Sequence, residues 1–308
     1  MNDTVTLTAV DVSKESLEIK MVHRSFNVPN TKKGIAQLIR KMSPAENPFV
    51  VCEATGGYER LLMHTMQDAD IPICRANPAR IRAFARSEGV RAKTDPIDAR
   101  MILKFAQEKE LRPAVPLEPE RKRLAAYLDR RSHLKDEAVR EKNRIQNSPE
   151  EIHAAINRML HVLGKEIDLI EEMIRETISS HALISAQVEC LKKIKGVGEV
   201  TAWVVIAFLG EIDKLTRNQL VALAGVAPFN RDSGIFKGKR KIIGGRAKVR
   251  TTLYMATQTA SMHNPVIKEY VEGLRARGKP YKCAMVAAMR KMLIHMQSEL
   301  KKLELEVA

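Results

Sequence analysis

The sequence predicts an α/β domain at the N-terminus, a long helical hairpin or coiled coil in the middle, and a mostly α-helical C-terminal domain. Three observations carry that prediction. Over residues 5–110, apolar runs bounded by turn residues alternate with stretches of helical period. Pro113, Pro116 and Pro119 then crowd a linker. A seam of apolar residues at steps of three and four follows, from Ile152 to Ile178. The expected domain boundaries are 1–111, 112–189 and 190–308.

Residues 5–12 (VTLTAVDV) read as a buried strand, and 15–22 (ESLEIKMV) alternate as its partner would. Residues 24–30 suit a third, short strand. Ile35, Leu38, Ile39 and Met42 give 31–42 a helical stripe. Asn47–Pro48 breaks the chain before the apolar strand 48–54, and Gly56–Gly57 separates that strand from a helix over 58–70. A strand at 71–77 completes a mixed sheet, and 78–110 read as helical with an irregular stretch around 87–95. A charged helix over 118–146 holds nine Lys/Arg and six Asp/Glu. Ser148, Pro149, Glu150 and Glu151 then form a helix start, with serine as N-cap and acids at the positive end of the dipole. The seam comprises Ile152, Ile156, Met159, Leu163, Ile167, Ile170, Ile174 and Ile178. It suits an antiparallel hairpin closing on itself, or a dimerisation stalk with nucleic acid along the basic helix.

Composition narrows the function. The 308 residues carry 52 Lys+Arg against 37 Asp+Glu, a net charge of +15 that points to a polyanion partner. No run of about 18 apolar residues exists to span a bilayer, and the first residues lack a basic-then-apolar signal pattern. A cytoplasmic, nucleoid-associated protein with no membrane partner is expected. Cys52, Cys74, Cys190 and Cys283 are far apart and form no CxxC pair, so they read as reduced, mostly buried thiols.

Four carboxylates stand out in the first domain. Asp11 ends the first strand and Glu53 ends the apolar strand 48–54; an acid interrupting an apolar run is costly unless it faces a cleft or a cation. Asp95 and Asp98, in KTDPIDARMI, share one face of a helix start, with Thr94 as a candidate N-cap. Two strand-end acids facing two helix-borne acids can hold a pair of Mg²⁺ ions, with Mn²⁺ as a substitute, for a phosphodiester displacement. Taken singly, Asp11 reads rather as a turn former before Ser13, and Asp95 and Asp98 as ordinary first-turn acids; the four together favour the metal site.

AVDVSK, the acid in VVCEATGGYE and the segment RSEGVRAKTDPIDARMI resemble the DEDD transposases of bacterial insertion sequences, the family numbered one hundred and ten. The likeness runs nearly end to end. It implies a ribonuclease H-like (RuvC-like) fold for the N-terminal domain and assigns the metal acids to Asp11, Glu53, Asp95 and Asp98. Arg80, Arg82, Arg86, Arg91 and Lys93 offer a basic rim beside them, or a plain solvated face.

In the second half, IKGVGEVTA (194–202) carries the signature of a helix-hairpin-helix turn, in which Lys195, Gly196 and Gly198 would hold a phosphate at a helix N-terminus; a plain glycine turn is the alternative. Between Arg231 and Arg250 lie eight basic residues (Arg231, Lys237, Lys239, Arg240, Lys241, Arg246, Lys248 and Arg250) and one acid, interleaved with glycines, which reads as a loop or hairpin rather than a helix. Ser233 stands inside this patch. The sequence alone makes it a turn serine; the resemblance implies a nucleophile that forms a covalent phosphoserine link to DNA.

The resemblance further implies a guide RNA that pairs with donor and target DNA, and a homodimer assembling to a tetramer. An aromatic content of 4% gives few platforms for stacked bases and favours recognition through backbone and shape. The expected activity is therefore a Mg²⁺-dependent transposase or recombinase. The alternatives are a structure-selective endonuclease using the four acids and water, and a non-catalytic nucleic-acid scaffold.

Overall fold

The computed structural model describes residues 5–43, 46–90, 95–229 and 240–307; the side chains of 95–97, 306 and 307 are not among those described. The chain forms two compact units, residues 1–116 and 117–308.

The first unit is built on a five-stranded sheet. β1 (Thr6–Val12), β2 (Ser16–Met21) and β3 (Ser25–Pro29) form an antiparallel meander. β4 (Pro48–Glu53) and β5 (Ile73–Ala76) add in parallel on the other side of β1, giving the order β3-β2-β1-β4-β5. The mixed sheet agrees with the ribonuclease H-like fold that the resemblance implies. Period-two alternation sorts the side chains of β1 and β4 between two cores. Val10, Val12, Val50 and Cys52 face one, closed by Ile35 and Leu38 of α1 (Lys32–Met42) and Leu62 and Met66 of α2 (Glu59–Asp68). Ala9 and Val51 face the other, closed by Ile81 and Phe84 of α3 (Pro78–Ser87) and Ile102 and Phe105 of α4 (Asp95–Glu108). Burial pushes the Cys52 thiol up to about 12, which keeps it protonated and inert. Cys74 is also buried, whereas Cys283 is exposed, so the expectation of buried thiols holds for only part of the set.

The loop that leaves β4 is organised by an acid. Glu59, 2% exposed, accepts hydrogen bonds from the N–H of Gly57 (2.8 Å) and of Thr55 (3.2 Å), and from Arg75 Nη1 on β5 (3.3 Å). Burial alone would raise its carboxyl, but these donors outweigh it and hold the group below the ordinary glutamate range. Gly56 and Gly57 adopt φ of 73° and 120°, which lets the backbone curl around that carboxylate.

The second unit is helical. α5 (Pro119–Ile145) and α6 (Glu150–Ser179) pair as a long hairpin, and α7 (Ala182–Lys192) and α8 (Glu199–Phe208) follow. The remaining helices are α9 (Arg217–Leu223), α10 (Ala247–His263), α11 (Pro265–Ala276) and α12 (Tyr281–Val307). A two-stranded ladder, β6 (Pro228–Phe229) against β7 (Lys241–Ile242), lies between α9 and α10. α8 is apolar all round: every residue from Thr201 to Ala207 is buried, and Trp203 is 1% exposed. α5, α7 and α10 pack against it, and the remaining helices add to the same apolar core.

Three expectations need correction. Ser148 does not cap α6: the N-cap position is Pro149, no side chain caps the helix, and His153 Nε2 reaches the Ser148 carbonyl instead (2.9 Å). The apolar residues of α6 form two stripes rather than one seam. Ile156, Ile167, Ile174 and Ile178 are buried, whereas Ile152 and Met159 are 46% and 50% exposed. And the stretch to Arg250 is not loop throughout, because α10 begins at Ala247 and carries Lys248 and Arg250.

The charged α5 is anchored by one of its own cations. Arg121 is 6% exposed and donates to the Ile206 carbonyl (2.7 Å), Gln187 Oε1 (2.8 Å) and Glu118 Oε2 (3.0 Å), fastening α5 to α7 and α8. Arg121→Ala leaves buried acceptors unpaired, and should lower the unfolding free energy by about 3 kcal/mol in denaturant titrations. Glu59 gives a pH test. Its depressed pKa adds stability above the ordinary glutamate value of about 4.3, which is lost as pH falls through the folded-state value. Wild type should therefore lose its stability advantage over Glu59→Gln between neutral pH and pH 3, measured by thermal melts.

Candidate active site

Asp11 and Glu53 owe their placement to the parallel pairing of β1 with β4. In that register Ala9 lies opposite Val51 and Val10 opposite Cys52, so the next residue on each strand is an acid. Both are half-buried, and both stand on the alternation of Ala9 and Val51, the face that α3 and α4 cover. Asp95 and Asp98 occupy the first turn of α4. Asp98 is half-buried and one helical turn before Ile102, which is fully buried against the sheet, so the two share a face. The structure thus brings Asp11, Glu53 and α4 to one side of one sheet. The side chain of Asp95 and the expected cap Thr94 lie outside the described residues.

The donor set is carboxylate oxygen throughout, which fits a hard divalent cation and not a soft one. Among the described residues no three such side chains surround a common point. In the expected basic rim, Arg80, Arg82 and Arg86 are exposed on α3, and Arg80 also lies over the Phe105 ring (5.5 Å). Arg91 and Lys93 fall outside the described residues.

In the second unit, the link between α7 and α8 turns at Gly196, φ 99°, where a Cβ would sit 2.5 Å from that of Ala260. Gly196 is therefore required by the approach of α10. Gly198 is exposed, has nothing within 4 Å of a would-be Cβ, and caps α8 without a side chain, so backbone N–H groups there open to solvent. Lys195 is exposed, and its carbonyl accepts from Asn264 Nδ2 (3.1 Å).

The basic patch divides in two. Arg246 donates to Glu211 (2.6 Å) and to the Phe208 carbonyl, Lys248 pairs with Asp129, and Arg250 donates to the Gly244 carbonyl (2.6 Å). These bonds hold the base of the β6–β7 segment. Gly225 and Gly245 cross there so closely that a Cβ on Gly245 would lie 2.2 Å from the Gly225 nitrogen. Arg240 and Lys241, by contrast, are exposed. Ser233, Arg231, Lys237 and Lys239 lie outside the described residues.

Sequence reading missed Glu59, Arg75 and Asn30, which shape the loops behind the acids. The glutamate at the start of α2, just after a Thr-Gly-Gly turn, was the available signal for Glu59. For Arg75 and Asn30 there was none, because their partners are remote in sequence.

Comparison with known proteins agrees with this geometry. Residues 8–153 match the DEDD transposases of the IS110 family, and residues 188–272 match the Transposase IS116/IS110/IS902 family. The pilin gene-inverting protein of Moraxella lacunata is 26% identical over 248 residues, covering 79% of this chain and 77% of that protein. Its counterpart in Moraxella bovis matches to the same extent. With Asp11, Glu53 and Asp98 on one sheet face and both parts of the chain matched, this protein belongs to the IS110 family of insertion-sequence transposases and recombinases.

Proposed function

We propose that this chain cuts and rejoins DNA in a Mg²⁺-dependent reaction through Ser233, with target choice delegated to a structured guide RNA. The observation that carries the reading is the placement of Asp11 and Glu53 at the ends of adjacent parallel strands, on the face covered by the helix whose first turn bears Asp95 and Asp98. The four carboxylates are the ligands for the ions. When bound, a pair of Mg²⁺ or Mn²⁺ ions stabilises the attacking and leaving oxygens of a phosphodiester displacement. Ser233 Oγ forms a bond to phosphorus while the bond from phosphorus to one sugar oxygen breaks, and the serine proton passes to that leaving sugar oxygen, which becomes a free hydroxyl. A hydroxyl of the recombining strand then attacks the phosphoserine, which restores the serine and closes the new strand. The relatives are named for inverting a pilin gene, which supports rearrangement rather than simple degradation of DNA.

Donor and target DNA are held mainly by phosphate contacts. Lys195 and the open N-terminus of α8 at Gly198 act as a helix-hairpin-helix clamp, and Arg240 and Lys241 extend the basic surface. Arg246 and Lys248 are committed to Glu211 and Asp129 and serve the loop base first. Membership of the family supports the guide RNA, and a chain poor in aromatic side chains suits it.

The second stripe of α6 supports the oligomer. Ile152, Met159, Val162, Leu169 and Met173 are 40% to 54% exposed. With Ala155 and Glu166 they follow steps of 3-4-3-4-3-4, the spacing of a coiled-coil seam. The buried stripe closes the hairpin with α5, and the exposed one is left to pair with a second copy.

Two outcomes are expected. With wild-type protein, guide RNA and both DNA partners, denaturing gels should show a protein–DNA adduct that is absent in Ser233→Ala and in Asp11→Asn. Cleavage that persists in Ser233→Ala would instead indicate a water-using endonuclease. Leu169→Glu should shift the protein toward monomer in sedimentation velocity while leaving its helical content unchanged.

A further inference from the structure

Asn30 follows β3 and precedes Thr31, the N-cap of α1. It belongs to neither strand that carries an acid, yet its side chain reaches the loop that leaves each. Nδ2 donates to the Ser13 carbonyl (2.9 Å) and to the Tyr58 carbonyl (3.1 Å), and the Asn30 backbone N–H donates to the Glu15 carbonyl (2.9 Å). Ser13 stands in the loop that leaves β1 just beyond Asp11, and Tyr58 in the loop that leaves β4 beyond Glu53. One amide thus ties the two loops together.

Asp11 stays paired with Glu18 of β2 and Glu53 with Ala76 of β5, and the brace acts where the direct pairing between their own two strands stops. The paired register of β1 with β4 ends at Val10 and Cys52, one residue short of both acids. Each loop that Asn30 joins is stiff in its own right. Ser13 exchanges bonds with Ser16 through its N–H (2.9 Å to the Ser16 carbonyl) and its hydroxyl. Glu59 gathers the 54–58 turn through the N–H groups of Thr55 and Gly57. The amide has a single sensible orientation, because exchanging Nδ2 with Oδ1 would set an oxygen against two carbonyls. Its Oδ1 is buried without a hydrogen-bond partner among the described residues, a cost borne by a side chain held for its two donors.

We propose that Asn30 is a positioning residue that fixes the spacing of the Asp11 and Glu53 carboxylates by cross-linking the loops behind them. This rests on the reading of those acids as metal ligands. Groups that orient ligands from behind typically govern about 10–100-fold in metal affinity. Asn30→Ala removes both donors, and Asn30→Asp removes them while keeping the side-chain volume.

The test is Mn²⁺ binding to the full chain by isothermal titration calorimetry, with electron paramagnetic resonance as a second readout and thermal melts as the control for folding. Both variants should bind Mn²⁺ about tenfold or more weakly than wild type, and their DNA cleavage should recover as Mn²⁺ is raised, which a general loss of stability would not produce. Asp11→Asn, run in parallel, should abolish the high-affinity isotherm. Wild-type Mn²⁺ affinity in folded Asn30→Ala or Asn30→Asp, beside a silent Asp11→Asn, would overturn the brace alone. Undiminished binding in Asp11→Asn would overturn the metal-site reading and the brace with it.

Discussion

The register of two parallel strands governs the first unit. Val10 lies opposite Cys52, and the alternation that buries both sends the next residue of each strand, Asp11 and Glu53, to the opposite face. A shift of one residue on either strand would turn its acid into the core of α1 and α2, where an unpaired carboxylate costs several kcal/mol. The same apolar packing that fixes the register therefore fixes the two acids side by side. α4 covers the face they point to, and the burial of Ile102 and Phe105 sets the rotation that brings Asp98 to that face.

The second unit solves a different problem. It holds a basic, glycine-rich segment on a rigid base, and it spends several of its cations doing so. Arg121 ties α5 to the carbonyl end of α8, while Arg246 binds the Phe208 carbonyl and Glu211 a few residues further along. The Gly225–Gly245 crossing closes the base of the β6–β7 ladder. Lys195, Arg240 and Lys241 stay exposed.

Much of the fold was legible in the sequence because its signals are local. Apolar runs bounded by turn residues, with the alternation of 15–22, gave the five strands, and the apolar stripes of 31–42 and 152–178 gave α1 and α6 within a few residues. Asp11 and Glu53 were conspicuous because each interrupts an apolar run. What was not legible depends on partners distant in the chain. Arg121 looked like one more cation on a charged helix until its acceptors, at positions 187 and 206, folded against it. Ile152 and Met159 carry the spacing of the buried seam but lie on the outer stripe, since a two-helix hairpin covers only one side of a helix. Ser148 had the chemistry of a cap, yet the helix begins one residue further on. Asn30 offers no pattern at all, because its importance comes from two carbonyls on two other loops.

Everything proposed for the chemistry depends on divalent cations lying between the acids of β1, β4 and α4. The most direct measurement is an anomalous difference map from crystals of the full chain soaked in Mn²⁺. The account predicts peaks bridging the carboxylates of Asp11 and Glu53 and extending toward the first turn of α4. Ordered Mn²⁺ found only elsewhere on the molecule, with those carboxylates making no contact to metal, would contradict it.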